Sequence, residues 1–342
     1  MKNIWKVAII LIATGLLLSS IGLALGASRW VYWDKQGSHI VEISEEKRIT
    51  MLDLERIDNI DINARFSDVE FITSDKYGID IRYYDEDVSW SLDNGNLKIR
   101  STVQTGNRNY NKRFFDVNLN FDNPQSYVKV YLPADVRLGT VSVQADSGHI
   151  KIGGFRAVEV QLNNSFGNLD IYSITCDKLQ IKMDSGEFSG QDLSVSGDIV
   201  HKNNFGSSRF ETIEAKNFRL DSDSGDVTLN GCRVESIDIK NYFGSITAHN
   251  LVSFNTDVDA NSAEINISGD FSGRTNINNS FGDIRFTTAK AREDYTYEIY
   301  TDFGDVTIDN NRLNGGVQGG NSSTNSLYIT NSSGDIQVYF AG

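Results

Sequence analysis

A chain of 342 residues with 39% hydrophobic content has enough apolar side chain to bury a long core. Its net charge of −14 excludes nucleic acid, whose phosphates need a basic face, and argues equally against adhesion of the body to anionic lipid.

The first residues carry a different signal. Residues 1–6 hold Lys2 and Lys6, and residues 7–27 are uncharged and broken only by small or hydroxyl residues such as Thr14, Gly15 and Ser19. That stretch is long enough to cross the ~30 Å hydrocarbon core of a bilayer. Trp5 precedes it, and Trp30, Tyr32 and Trp33 follow it, as aromatic belts do at the two interfaces of a membrane-spanning helix. The positive-inside rule makes residues 1–6 cytoplasmic and everything after Arg29 extracellular. A cleaved signal peptide, with Ala24, Leu25 and Gly26 as its small-residue site, is the competing reading. The aromatic belt favours the retained anchor, because it would serve nothing in a discarded peptide. Residues 28–56 then read as a polar, irregular juxtamembrane spacer, with room for a short helix within residues 43–54.

Strands begin at Ile57. Ile60, Ile62 and Ala64 alternate with polar residues before a turn at Phe66, Ser67 and Asp68, and Val69 and Phe71 resume the alternation. Ile79, Ile81 and Tyr83 mark another strand, and Asp93, Asn94 and Gly95 form a hairpin turn before Leu97 and Ile99. Residues 57–140 are thus an irregular N-terminal portion that caps one end of a regular C-terminal array. Within them, residues 104–123 form an insertion in which Arg108, Lys112 and Arg113 stand beside Tyr110, Phe114 and Phe115. Cations with aromatic rings can bind a polyanion, a lipid headgroup or a glycan. The plainer reading is a hairpin tip kept soluble by its charge.

Residues 141–342 are regular. Turn glycines occur at Gly148, Gly167, Gly186, Gly206, Gly225, Gly244, Gly282, Gly304 and Gly334, with Ala263 where a further one is due, and the gaps are 19, 19, 20, 19, 19, 19, 19, 22 and 30 residues. A period near 20 means that each unit is one supersecondary element stacked on its neighbours. Two residues after each turn the chain carries Ile150, Leu169, Phe188, Val227, Ile246, Ile265, Ile284, Val306 and Ile336, with Ser208 as the exception. Polar residues such as Lys151, Asp170 and Thr228 follow them, so the period is that of a strand. A second strand before each turn points Leu162, Ile181, Val200, Leu220, Ile239, Val258 and Ile277 inward. Glycine suits the corner because positive φ costs it nothing.

The fold class is therefore all-β: a single-stranded β-helix of ~19-residue coils, right-handed, behind an N-terminal transmembrane helix. A coil of 38 residues is the alternative. The residue before each glycine runs Ser147, Phe166, Ser185, Phe205, Ser224, Phe243, Ser262, Phe281, then Phe303 and Ser333. With one unit per coil, a ring recurs every ~9.6 Å, twice the ~4.8 Å strand spacing, and fills the corner between small hydroxyls. Cys176 and Cys232 lie about three units apart, some ~14 Å, and in different columns, which makes them two free, buried thiols.

Candidate chemistry is sparse. Asp146, Asp184 and Asp223 share one position on alternate units, about 9.6 Å apart, near the separation of an inverting glycosidase pair. Asp before Ser-Gly is equally what a tight turn wants, and no cation recurs beside them. Asp221, Asp223 and Asp226 loosely suggest a calcium loop without its spacing or closing glutamate. His39, His149, His201 and His249 are scattered and read as surface or turn residues. No cofactor is expected. Residues 311–326, rich in Gly, Ser and Asn, read as a flexible insertion. The sequence ends just after a strand, at Val338 to Gly342, so the last coil presents an open edge that invites capping by residues 311–326 or end-to-end self-association.

The segment from Tyr127 to Ile152, YVKVYLPADVRLGTVSVQADSGHIKI, followed by alternating SFG and DSG turns, resembles the bacterial putative-adhesin family of β-strand-repeat domains of unknown function. The resemblance covers residues 57–340. It implies a β-helix outside the membrane, of a kind common in Gram-positive envelopes, with relatives such as the LiaG-like and LiaX-like proteins of envelope-stress responses, and it brings no catalytic residues. The expectation is a non-catalytic surface module acting in adhesion, stress sensing or protein interaction, with envelope proteins or cell-wall glycans as partners. A glycan-acting β-helix lyase or hydrolase is the alternative.

Overall fold

The computed structural model describes residues 30–34, 37–40, 46–84, 86–103, 115–118, 125–321 and 324–341, together with Gly15. The expected membrane anchor at 7–27 and the basic and aromatic loop of Arg108, Tyr110, Lys112, Arg113 and Phe114 lie outside the described residues. No helix among the described residues is long and apolar enough to cross a membrane.

Successive repeats pair in register through parallel ladders. Ile150 pairs with Leu169, Leu169 with Phe188, Phe188 with Ser208, Ser208 with Val227, and Val227 with Ile246. Each glycine-to-glycine unit is thus one full coil, which disposes of the 38-residue coil. Three short segments make up a coil: in the one that starts at Gly148, residues 150–153, 155–157 and 159–166 pair with the next coil. Between the first two lies a second corner, six residues after the glycine. There Gly154, Ser173, Asp192, Thr212, Gly231 and Asn250 all take left-handed φ, between 50° and 73°. The sequence reading missed this corner, because residues of several types tolerate that conformation at modest cost.

At the first corner φ runs from 113° to 157° for the nine glycines. A Cβ on Gly167, Gly186, Gly206, Gly225 or Gly244 would also press on the carbonyl oxygen of the glycine one coil earlier. Both conformation and clearance therefore demand glycine. Inside this corner, buried asparagines bind the glycine carbonyls. Asn164 Nδ2 donates to Gly148 (3.0 Å) and Gly167 (3.1 Å), Asn203 Nδ2 to Gly206 (2.9 Å), and Asn279 Nδ2 to Ala263 (2.9 Å).

The interior is a continuous apolar column, from Ile57 to Phe340. One coil departs from the pattern. The 20-residue gap between Gly186 and Gly206 contains a bulge between Val195 and Asp198, after which Ile199 and His201 face inward and Val200 does not. His201 is fully buried, in the position that Ile181 and Leu220 hold in the adjacent coils. Its ring lies 4.5 Å from that of Phe188 and 5.2 Å from that of Phe210, and Nε2 is 2.8 Å from Ser208 Oγ. Thus His201 is not a surface residue, and Ser208 breaks the apolar series because it serves that imidazole. Cys176 and Cys232 are free and buried, and burial pushes their thiols up to about 12 and about 11.

Both ends are closed by strands that return out of sequence order. Strand Asn325–Ser333 pairs with residues 274–281 on one side and with residues 295–303 on the other, both in parallel. Likewise Ile336–Tyr339 lies between Ile284–Thr288 and residues 306–308. The last coil in sequence is therefore the second to last in space, and its edge is not open as the sequence suggests. The outermost coil is Tyr295–Ile308, and Asn311–Gly319 pairs antiparallel along it as a strand rather than as a flexible insertion. At the other end Tyr127–Pro133 is inserted in the same way, parallel to Asp68–Ser74 and antiparallel to Gly78–Tyr83.

Two regions expected to be irregular are also strands. Lys47–Leu52 is a strand, not a helix, and Arg48 and Thr50 reach Asp80 at 2.8 Å. Trp30–Asp34 pairs antiparallel with Gly37–Ile40 and with Phe115–Asn118 in a small separate sheet. The spacer at 28–56 thus carries paired backbone.

Replacing Gly225 with Val should destabilise the stack by ~1 kcal/mol or more, read as a fall in the circular-dichroism melting temperature. An unchanged melt would mean the corner tolerates a β-branched residue.

Desolvation holds the His201 pKa down at about 3, against an ordinary value of 6.5. An imidazole kept neutral in the fold contributes stability that is complete above pH ~6.5 and falls below it, at up to ~1.4 kcal/mol per pH unit, until its own pKa is reached. Urea unfolding from pH 7 to pH 4.5 should show this slope, and a His201→Leu variant should lose that part of it.

A candidate binding ridge of alternating phenylalanine and serine

The residue before each corner glycine would point inward if strand alternation simply continued from Leu162 and Asn164 to Phe166. The chain turns there instead, and the phenylalanines swing out. Phe66, Phe166, Phe205, Phe243, Phe281 and Phe303 are between 54% and 77% exposed, so the rings do not fill the corner as expected.

Their order in space is more regular than their order in sequence. Ser147 pairs with Phe166, Phe166 with Ser185, Ser185 with Phe205, Phe205 with Ser224, and Ser224 with Phe243. Past Ser262, Phe281 pairs with Ser333 and Ser333 with Phe303, because the C-terminal coil is inserted between the other two. The apparent break in the alternation thus disappears. At the opposite end Ala64 pairs with Ala145 and Ser147 N donates to the Arg65 carbonyl (2.7 Å), which sets Phe66 beyond Ser147. The column therefore begins and ends on a ring and alternates without exception. Its rings recur every ~9.6 Å along a line of ~48 Å at the usual strand spacing.

Polar residues hold the ridge in place. On the far side of the glycine, Asp68, Asn168, Asp226, Asp283 and Asp335 each accept the backbone N–H of the neighbouring coil, at 2.8 to 3.1 Å. On the near side Asp146 is paired with Arg65 (2.9 Å), and Asp184 accepts from Asn204 Nδ2 (3.2 Å). The three aspartates at 146, 184 and 223 therefore sit on serine coils, with a ring between each pair. The suggested calcium loop does not converge: Asp221 is engaged by Arg219 at 3.3 Å and Asp226 by Ser245 Oγ at 2.7 Å. No group of three or more His, Cys, Asp or Glu among the described residues is placed to hold a metal ion. His149 bonds Asp170 at 2.8 Å and His249 bonds Ser268 at 3.1 Å, one coil apart in each case.

A groove runs across several coils along the third bend, between the second and third segments of each coil. Arg137, Arg156, Lys216 and Arg233 line it together with Asp177, Glu214 and Glu235. Cations outnumber carboxylates there by one, and Cys176, which borders it, has its thiol pushed up to about 12 by burial and is no nucleophile at neutral pH.

Exposed rings contribute little to folding. Replacing Phe205 and Phe243 together with Ser should leave the stability of the stack within about 0.5 kcal/mol per site by thermal melting, as for ordinary surface positions. A larger loss would make the column a structural brace.

Residues 57–196 and 175–339 each match the family described as Toastrack DUF4097. Solved structures similar to the chain include a putative adhesin from Bacteroides fragilis, with 11% identity and a TM-score of 0.37 over 86% of this chain and 97% of that one. A putative cell adhesion protein from Clostridium sporogenes has 8% identity and a TM-score of 0.22, over 87% and 100% of the two chains. A putative lipid binding protein from Parabacteroides distasonis has 13% identity and a TM-score of 0.33, over 86% and 96%. No curated protein matches the sequence. The two family matches together run from residue 57 to residue 339, through the whole stack of coils, and the chain belongs to the Toastrack DUF4097 family.

Proposed function

We propose that this chain is a non-catalytic adhesion module of the cell envelope, anchored in the membrane by residues 7–27 and carrying its β-helical body outside the cell. The observation that carries this reading is the line of six exposed phenylalanines. Soluble surfaces seldom expose apolar side chains in so regular an array unless a partner covers them. A stiff stack that fixes ring spacing through backbone pairing suits multivalent contact with an extended surface, in adhesion or in sensing the state of the envelope. The non-catalytic part of the reading draws on where the strongly shifted groups lie. His201, Cys232 and Tyr295 are buried in the core, and Cys176 is a thiol at neutral pH. The anchor rests on Lys2 and Lys6 before an uncharged stretch and on the tryptophans at either side of it.

Protease added to intact protoplasts should remove the body and leave a membrane fragment of about 30 residues. Recovery of the whole body from the medium without protease would point to a cleaved signal peptide, and protection of the body from protease would place it inside the cell.

A further inference from the structure

Resting on the reading of the body as an adhesion module, we propose that the phenylalanine ridge binds a β-1,4-linked polysaccharide without acidic groups, laid along the stack axis with its sugar faces on the rings. Three properties of the ridge lead to this ligand.

The first is period. In a β-1,4-linked hexose chain each sugar is turned over relative to the last, so the chain repeats every two sugars. That repeat is close to twice the spacing of paired strands. Rings on alternate coils, ~9.6 Å apart, therefore meet the same face of every second sugar over a run of neighbouring coils. The intervening sugars lie over Ser147, Ser185, Ser224, Ser262 and Ser333, whose small side chains leave room and offer hydroxyls.

The second is chemistry. The face of a pyranose is a patch of C–H groups that packs on an aromatic ring, while its hydroxyls project sideways. On this ridge the sideways positions hold hydrogen-bonding groups: Asp184 and Asp223 on one flank, Glu187 and Asp226 on the other. Carboxylates are acceptors only, and hydroxyls or ammonium groups are the donors that complement them.

The third is charge. Shape alone would let a second copy dock, each ring fitting over a serine coil of the other. The positions directly beside the rings, however, carry Asp146, Asp184 and Asp223 on one flank and Glu187, Asp226, Glu264 and Asp283 on the other, with Lys182, Lys202 and Lys240 standing two residues further out, so in a protein of net charge −14 two such ridges would set like charges face to face at the rings. The same repulsion excludes uronate and phosphate polymers. Neutral or amine-bearing glycans escape it.

The test is co-sedimentation of the full-length chain with particulate chitin, chitosan and cellulose, with polygalacturonate as the acidic control. The wild-type chain should be retained on one or more of the first three and not on the last. Phe205→Ser combined with Phe243→Ser should weaken retention at least tenfold. The decisive variant combines Phe205→Ser with Ser224→Phe: it keeps the number of rings and breaks their spacing, and it should lose retention to the same extent. Circular-dichroism melts confirm that each variant is folded. Equal retention of the spacing variant, retention that ignores both variants, or preference for polygalacturonate would overturn the proposal. So would a ring-dependent dimer in sedimentation velocity without polysaccharide binding. Adherence of cells displaying the chain separates the two levels: adherence that survives loss of the rings defeats the glycan ridge and leaves the adhesion reading, whereas no adherence by wild type to any surface defeats both.

Discussion

Everything in this protein depends on how closely one coil lies on the next at a single corner. Parallel strands set the separation, and at that distance the carbonyl of one corner sits where the next corner's Cβ would be. At nine corners glycine fills that place, and its left-handed φ turns the chain from one face of the stack to another, whereas Ala263 and Ser67 hold the same place without a positive φ. The apolar side chains then line up by default, because each coil starts from the same point.

A corner of stacked carbonyls needs donors. Asn164, Asn203, Asn241, Asn279 and Asn331 supply them from inside, each reaching one or more of the corner carbonyls. They occur mainly on the phenylalanine coils, while Ala145, Met183, Ser222 and Ala260 hold the place on serine coils. One asparagine every second coil suffices because its amide spans two carbonyls, as Asn164 does with Gly148 and Gly167. Inner and outer columns thus share a period of two coils.

The coil period, the inward residues and the identity of the main corner could all be read from the sequence, because each depends on residues at fixed offsets from a glycine. Three things could not. The bulge before Ile199 is invisible to an offset taken forward from Gly186, which points to Val200, whereas the offset back from Gly206 points to His201, which is inside. The direction of the phenylalanines escaped because strand alternation does not survive a left-handed corner. The exchange of the last two coils is hidden because adjacency in sequence does not fix adjacency in space. A clue was present: the alternation of Phe and Ser fails only at Phe303 and Ser333, and swapping those two coils restores it.

The column of rings also limits how such a protein can change length. Losing or duplicating a single coil would leave the backbone ladders and the apolar column in register, since successive coils pair in the same way. It would, however, set two phenylalanines or two serines side by side and shift all later rings out of step. Two coils together, about 38 residues, can be gained or lost without that penalty. A pair of coils is therefore the smallest change of length that keeps the ring column in step, although the backbone repeats with every coil.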